Sequence, residues 1–171
     1  TICHEEGSQL LNGSDMILIL SADKDFIQLH EYENVVQYDP IRSRWIKHSN
    51  PSKYLVEHIA KGDRGDGVPN ILSRDDCFIN GRQKPLRTKL LNNIVEMKID
   101  EVEHSFEGPL QHCKANWNRN RRLVDLSLVP EDIKEQIKQV YRIPSDNDRT
   151  KLFNYFVEKK LKNLIENIGD F

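Results

Sequence analysis

Two carboxylates one residue apart follow a short apolar run near the start of the chain. The run is Ile17-Leu18-Ile19-Leu20, and the carboxylates are Asp23 and Asp25. An aliphatic run without alternation indicates a parallel strand buried on both faces, and ligands of such sheets bind beyond the carboxyl ends of the strands. Because Mg²⁺ prefers oxygen ligands, the pattern predicts a metal site. The alternative is a pair of solvated turn aspartates.

A glycine-rich stretch, residues 62–71, is the second place where chemistry is expected. Its three glycines allow positive φ angles and a close approach of the backbone to a ligand, and it carries Asp63 and Asp66. A helix that Asn50 caps should end at Gly62, and Pro69 can start another short helix, which makes a helix–turn–helix. The turn could then offer carbonyls to a monovalent cation and amides to a phosphate. The alternative is a flexible acidic loop.

Two basic clusters occur although the net charge is only -2, and the glycine-rich stretch lies inside the longer one. Such clusters neutralise nucleic-acid phosphates, and the affinity they give falls steeply with salt. Charge runs are more often solvated faces, which is the alternative here. The first cluster contains Lys61, Arg64, Arg74, Arg82, Lys84, Arg87 and Lys89. The second contains Lys114, Arg119, Arg121 and Arg122.

The elements that must position these residues follow from the apolar pattern. No second aliphatic run follows residues 17–20, so we expect the other strands of the sheet to lie outside this chain. Two further strands, Val35–Tyr38 and Arg44–Lys47, are predicted to form a hairpin. Helices are predicted at residues 1–11, 26–32 (short), 51–61, 86–97, 102–117 (interrupted at Gly108-Pro109), 130–141 and 149–168, with a basic hinge at 118–122.

Composition excludes several other classes of protein. No run of eighteen apolar residues occurs in the 171-residue chain, so no membrane span is predicted. Cys3, Cys77 and Cys113 lack metal-binding spacing and indicate free thiols in a reducing cytoplasm. His58 is predicted to be a surface or packing residue.

Several motifs together carry a family resemblance. Ser21-Ala22-Asp23-Lys24-Asp25-Phe26 followed by Gly62-Asp63-x-x-Asp66-x-Val68 resembles the structure-specific 5′ nucleases, which include flap endonucleases. Asn120-Arg121-Arg122-Leu123-Val124-Asp125-Leu126 and Tyr155-Phe156-Val157-Glu158 are similar to the ribonuclease H branch of T-even-type bacteriophages. The resemblance extends over nearly the whole chain.

The resemblance implies a fold between α/β and mostly α. It would be the C-terminal part of a 5′-nuclease (PIN-like) fold, with a truncated parallel sheet, a helix–three-turn–helix motif and a C-terminal helical subdomain. The implied domains are a remnant of the nuclease core at 1–48, a helix–three-turn–helix DNA-binding region at 49–100 and a C-terminal helical region at 101–171.

The resemblance also implies functional residues. Asp23, Asp25 and Asp66 would be catalytic and, together with Asp63, would hold two Mg²⁺ ions; K⁺ would bind at the helix–three-turn–helix. The implied DNA-binding residues are Lys61, Arg64, Gly65, Gly67, Val68, Asn70, Arg74, Arg82, Lys84, Arg87 and Lys89.

The implied function is that of a magnesium-dependent 5′ to 3′ nuclease that removes RNA primers or 5′ flaps during DNA replication. The family's remaining carboxylates lie upstream of this sequence, so we expect the C-terminal half of the enzyme, inactive by itself. Expected partners are duplex, flap or RNA–DNA hybrid nucleic acid, the N-terminal half, and a single-stranded-DNA-binding protein or sliding clamp, in the cytosol of an infected host. The alternative is a catalytically silent DNA-binding or replication-protein-interaction module.

Overall fold

A computed structural model describes residues 16–143 and 150–170. The helix predicted at residues 1–11 lies outside these ranges. The chain divides into two compact units, residues 1–135 and 136–171. The three-domain division inferred from the sequence stays a prediction.

A small mixed sheet opens the described part of the chain. β1 (Ile17–Leu20) pairs in parallel with β2 (Val35–Asp39), and β2 pairs antiparallel with β3 (Arg44–Ile46). The predicted hairpin is therefore confirmed. The expectation that β1 has no parallel partner downstream is wrong, because the first strand of the hairpin fills that place. A fully buried parallel strand usually shows an unbroken apolar sequence. In β2 the polar Gln37 and Asp39 interrupt that pattern.

β1 is not buried on both faces by the described residues. Leu18 and Leu20 remain 50% and 65% exposed, whereas the intervening Ile17 and Ile19 are half-buried. The prediction of two covered faces is thus wrong for this part of the molecule. An aliphatic strand normally buries both faces, but the face of β1 that carries Leu18 and Leu20 is exposed.

Short helices make up most of the remainder. The strand-tip 3₁₀ helix runs from Lys24 to Glu31 between β1 and β2. The α-helices are α1 (Pro51–Lys61), α2 (Cys77–Asn80), α3 (Thr88–Val95), α4 (Ile99–Val102), α5 (Cys113–Val124), α6 (Glu131–Arg142), α7 (Thr150–Glu158) and α8 (Lys162–Glu166). Further 3₁₀ turns span Glu103–Ser105, Gly108–Leu110, Leu126–Leu128 and Ile168–Asp170.

The boundaries of α1 confirm its prediction. The Asn50 side chain accepts a hydrogen bond of 2.9 Å from the Lys53 amide, and Pro51 occupies the first turn. At the other end Gly62 takes a φ of 66° and donates to the carbonyl of His58 at 2.8 Å. Capping at one end and a left-handed glycine at the other thus fix where the turn begins.

No helix starts at Pro69, so that prediction is wrong. The Ile71 amide donates 3.1 Å back to the carbonyl of Ala60, and the Leu72 amide donates 3.0 Å to the side chain of Asn70. The Asn70 amide itself donates to the Gln83 side chain at 2.7 Å. The Leu72 amide, which would make the first ladder bond of a helix starting at Pro69, is therefore already taken.

Two other predicted helices have different limits. α5 runs through residues 118–122, so the predicted hinge is wrong: Asn120 in this stretch donates to the carbonyls of the buried Ile59 and Pro69. The predicted helix at 149–168 divides into α7 and α8, because Lys160 takes a φ of 55°. The Leu161 amide then donates to the Phe156 carbonyl and the Lys160 amide to that of Val157, which is a Schellman termination.

The core of the first unit lies among α1, α3, α4 and α5. Trp117, Ile59, Ile71 and Val102 are fully buried there, and Phe106 packs 6.2 Å from Trp117 between ring centroids. No helix in the described ranges is long and apolar enough to cross a membrane.

Gly62 should be intolerant of substitution. A Cβ there would lie less than 3.0 Å from the backbone of Val68 and Pro69, and the positive φ adds strain. We expect Gly62→Ala to lower the free energy of unfolding by at least about 2–3 kcal/mol, measured by urea denaturation.

Gly67→Ala is the matched control for this substitution. Gly67 has a similar φ of 75°, but no atom lies within 4 Å of the point that a Cβ would occupy there. The substitution should therefore cost only about 1 kcal/mol of conformational strain. Equal losses in the two variants would contradict the role given to the close approach at Gly62.

Candidate metal centre at the tip of the sheet

The loop after β1 presents Asp23 and Asp25 through local hydrogen bonds. The Asp23 side chain caps the strand-tip 3₁₀ helix by accepting 3.0 Å from the Asp25 amide. The Asp23 amide in turn donates 3.1 Å to the hydroxyl of Ser21. The loop is thus an ordered turn that holds both carboxylates beyond the carboxyl end of β1, as expected for a ligand site of a parallel sheet.

The side chain of Gln37, in β2, anchors the loop after β1. Its side-chain amide donates to the carbonyls of Ser21 at 2.8 Å and Asp23 at 2.6 Å. Its oxygen lies 3.1 Å from Nε2 of His30, which must therefore be the donor. Gln37 is fully buried. Sequence reasoning missed this residue; its only signal is a polar residue at an inward position of an otherwise apolar strand.

The turn after α1 carries the second pair of acids. One oxygen of Asp63 accepts hydrogen bonds from the amides of Gly65 at 2.7 Å and Asp66 at 3.3 Å. The Asp63 carbonyl accepts from the Val68 amide at 2.7 Å. Asp63 therefore organises the turn, and its other oxygen is directed elsewhere.

His58, in the last turn of α1, lies between the two acidic segments. Its Nε2 atom is 3.5 Å from Oδ1 of Asp25 and 3.6 Å from Oδ2 of Asp63. Its Nδ1 atom is 3.4 Å from the hydroxyl of Tyr54, one helical turn earlier. The prediction of a surface or packing residue did not anticipate either acid: the ring is largely buried and lies close to both segments. The i, i+4 spacing of Tyr54 and His58 was the available signal.

The acids affect each other electrostatically. Burial raises the pKa of Asp25, His58 opposes that rise, and the charges of Asp23, Asp63 and Asp66 raise the pKa further. Burial and neighbouring acids, Asp25 and Asp63 first among them, raise the pKa of Tyr54 to about 12. The other three predicted metal-binding acids, Asp23, Asp63 and Asp66, thus all lie close enough to affect the Asp25 carboxyl.

The donor set fits a hard cation in part. Within the described ranges, no three His, Cys, Asp or Glu side chains are placed to bind one metal ion. A closed structural site is therefore absent from that part of the chain. Mg²⁺, however, is usually bound by one or two carboxylates and keeps several waters. The convergent aspartates are suited to that kind of binding.

Side chains of α5 support the turn after α1 through hydrogen bonds to backbone carbonyls. The Asn120 side chain is fully buried and donates 2.8 Å to the carbonyls of both Ile59 and Pro69. Arg119 also donates to the Pro69 carbonyl at 3.1 Å, and Asn116 donates to that of Ile71 at 2.8 Å. These contacts explain why residues 118–122 are helical. The predicted hinge is part of the support for the turn.

Most of the predicted DNA-binding side chains are exposed. Those on the surface are Lys61, Arg64, Gly65, Gly67, Arg74, Arg82, Lys84, Arg87 and Lys89. Lys61 pairs with Glu57, and Arg74 pairs with Asp76 at 3.2 Å.

Val68 and Asn70, by contrast, are buried. Asn70 accepts from Ser73 and donates 2.8 Å to the carbonyl of Lys84. Its side chain therefore joins the turn to the basic segment that follows.

The second basic cluster is largely engaged within the protein. Lys114 pairs with Glu103 at 3.2 Å, and Arg119 pairs with Asp75. Arg121 lies 2.9 Å from Asp100 and 3.3 Å from Asp125. Three of the four cations in this cluster thus have carboxylate partners, which favours a structural role.

Asn120→Ala should loosen the turn without touching any acid. Two buried carbonyls would lose a donor, so we expect a loss of about 1–3 kcal/mol in the free energy of unfolding. Hydrogen exchange should also quicken at the Ile71 amide, which bonds to Ala60 across the turn. The exposed Asn93 on α3 provides the control Asn93→Ala, expected to be neutral. Wild-type protection at Ile71 in the Asn120 variant would exclude this support.

Two comparisons relate the chain to known proteins. The family model described as T4 RNase H, C terminal, matches residues 50–171. The Ribonuclease H of Enterobacteria phage T4 is 30% identical over 157 residues, which are 91% of this chain and 52% of that protein. The chain thus spans about half the length of this curated relative. The resemblance to phage ribonucleases H is confirmed.

Proposed function

The chain belongs to the family of the T4 RNase H C-terminal region, and on that premise we propose that it is the C-terminal part of a magnesium-dependent 5′ to 3′ nuclease. One observation carries the proposal. Asp25 of the strand tip and Asp63 of the turn, 38 positions apart in the sequence, both contact His58. Acids from two segments thus lie close together although like charges repel, and a bound cation would relieve that repulsion.

Asp23, Asp25, Asp63 and Asp66 are the residues that would hold Mg²⁺. The ions, when bound, would lower the pKa of water to supply hydroxide and would stabilise the charge that develops on the phosphate. Asp25 and Asp63 contribute partly buried carboxylates, whose charge is screened less than that of a surface acid. Gln37 and Asp23 keep the strand-tip loop ordered, so the ligands need no rearrangement before they act.

The basic segment would hold the nucleic acid by its phosphates. Arg82, Lys84, Arg87 and Lys89 are exposed along a stretch that Asn70 and Ser73 tie to the turn. Cations on backbone-anchored segments position a duplex and do not read its sequence. Predicted K⁺ binding at the turn would use carbonyls other than that of Pro69, which accepts from Arg119 and Asn120.

The proposed partners follow from the same surfaces. Duplex, flap or RNA–DNA hybrid substrates would lie along the basic segment, and removal of primers or flaps during replication is the proposed role. The exposed Leu18 and Leu20 on β1 are where an N-terminal nuclease half would pack. A single-stranded-DNA-binding protein or sliding clamp remains a predicted partner.

Reconstitution tests the catalytic proposal. Mixed with an N-terminal nuclease half and Mg²⁺, the chain should cleave a 5′-flap substrate, and Asp25→Asn should lower kcat at least about 100-fold because a preorganised charge is lost. Product lengths on a sequencing gel give the rate. Asp132→Asn, at an exposed acid of α6, is the control and should cleave normally. Salt-dependent binding without any cleavage would support the silent DNA-binding alternative instead.

Salt dependence of binding tests the basic segment. Each phosphate contact contributes a slope of about -0.9 to the logarithm of affinity against the logarithm of salt concentration. We therefore expect Arg87→Ala to reduce the slope by about one, without any sequence preference. Lys162→Ala, in α8, should leave the slope unchanged, as measured by fluorescence anisotropy on duplex DNA. An unchanged slope for Arg87→Ala would remove that residue from the interface.

A further inference from the structure

His58 has an unusual environment for a histidine near the end of a helix. Its Nε2 atom is buried and has no partner within hydrogen-bonding distance among the described residues. The carboxylates of Asp25 and Asp63, at 3.5 and 3.6 Å, are slightly too far for a hydrogen bond. Nε2 of His58 therefore lies near the carboxylates of two different segments without a hydrogen bond to either.

Tyr54 lies next to the other nitrogen of the His58 ring. Its hydroxyl is 3.4 Å from Nδ1 of His58. A phenol that donates to Nδ1 leaves the proton of a neutral imidazole on Nε2. Tyr54 itself lies edge-on to the His48 ring, 5.1 Å away between centroids. In that tautomer, the Nε2–H group of His58 faces Asp25 and Asp63.

The location of His58 makes it a link between separate elements. Asp25 belongs to the strand-tip 3₁₀ helix, and Asp63 belongs to the turn that Gly62 opens. His58 belongs to α1, where the two residues that follow it, Ile59 and Ala60, are fully buried. A ring fixed on a helix that is anchored in the core can set the separation of two acids that would otherwise repel each other. Groups that orient metal-binding side chains commonly tune metal affinity.

We propose that His58 is a positioning residue, which fixes the carboxylates of Asp25 and Asp63 relative to each other for divalent-ion binding. This inference rests on the proposed function and deepens it. His58 is not assigned any contact with substrate. Its predicted effect is on the affinity for the ion and on turnover, and not on the affinity for nucleic acid.

Manganese binding to the purified chain is the direct test. Mn²⁺ titrations followed by electron paramagnetic resonance compare the wild type with His58→Leu and His58→Gln. The leucine variant should bind Mn²⁺ about 10–100-fold more weakly. The glutamine variant should recover to within a few-fold, because its terminal amide places an N–H near the position of Nε2. His104→Leu, at an exposed histidine outside the site, should match the wild type.

Kinetics of the reconstituted enzyme provide a second readout. His58→Leu should lower kcat and leave KM for the flap substrate unchanged, whereas a general loss of structure would affect both. If the leucine variant does not fold, as judged by circular dichroism, Tyr54→Phe replaces it and should weaken Mn²⁺ binding several-fold through loss of the orienting hydroxyl. Wild-type Mn²⁺ affinity in whichever of these variants folds would overturn the inference.

Different results would contradict the proposed function and the positioning role of His58. If the wild-type chain binds no Mn²⁺ and its reconstituted form cuts nothing, the proposed function and this inference both fall. If the wild type binds Mn²⁺ and cuts, but His58→Leu behaves identically, only the positioning role falls. A glutamine variant as weak as the leucine variant also contradicts the role assigned to the Nε2 donor.

Discussion

The mutual repulsion of four aspartates is the constraint on which the rest of the structure depends. Asp23, Asp63 and Asp66 lie close enough to act on the partly buried carboxyl of Asp25, and burial first, then their charges, raise the pKa of that carboxyl. Folding must hold such charges together against Coulomb repulsion and loss of solvation. The fold does so with side chains that bond to the loops and with backbone amides that donate to one oxygen of Asp23 and one of Asp63.

Three buried amides provide most of that support. Gln37 bonds to the carbonyls of the strand-tip loop, Asn120 bonds to those at both ends of the turn, and Asn70 ties the turn to the basic segment. Each donates to backbone carbonyls of the loop, the turn or the basic segment, and Asn120 does so in the buried interior. Rigid support of this kind is what a preorganised charged site requires. His58 adds a direct contact between the two segments.

The sequence predicted the local elements well where chain-local chemistry decides them. Asn50 and Gly62 bound α1 as expected, and the hairpin forms where β-rich segments flank Asp39-Pro40. The strand-tip acids also lie where a strand ending in polar residues should place them. The family resemblance to phage ribonucleases H, based on motif spacing, is confirmed over residues 50–171 by an independent family model.

Contacts between separate elements determine the features that the sequence did not predict. β2 pairs in parallel with β1 although Gln37 breaks its apolar run, because that glutamine has buried carbonyls to bond. Residues 118–122 are helical because Asn120 reaches two carbonyls more than fifty positions away. His58 could not be assigned because both of its acidic neighbours come from other elements. Most of these contacts join residues far apart in the sequence, as Asn120 and Ile59 are, so local patterns gave little indication of them.

Whether the strand tip and the turn share divalent ions is the central claim, and paramagnetic broadening measures it directly. Mn²⁺ is added stepwise to isotope-labelled chain while the amide resonances of residues 23–25 and 63–66 are followed. The account predicts that both segments broaden together, at the same metal concentration and before other acidic surfaces. Broadening at one segment alone, or at neither, would contradict it.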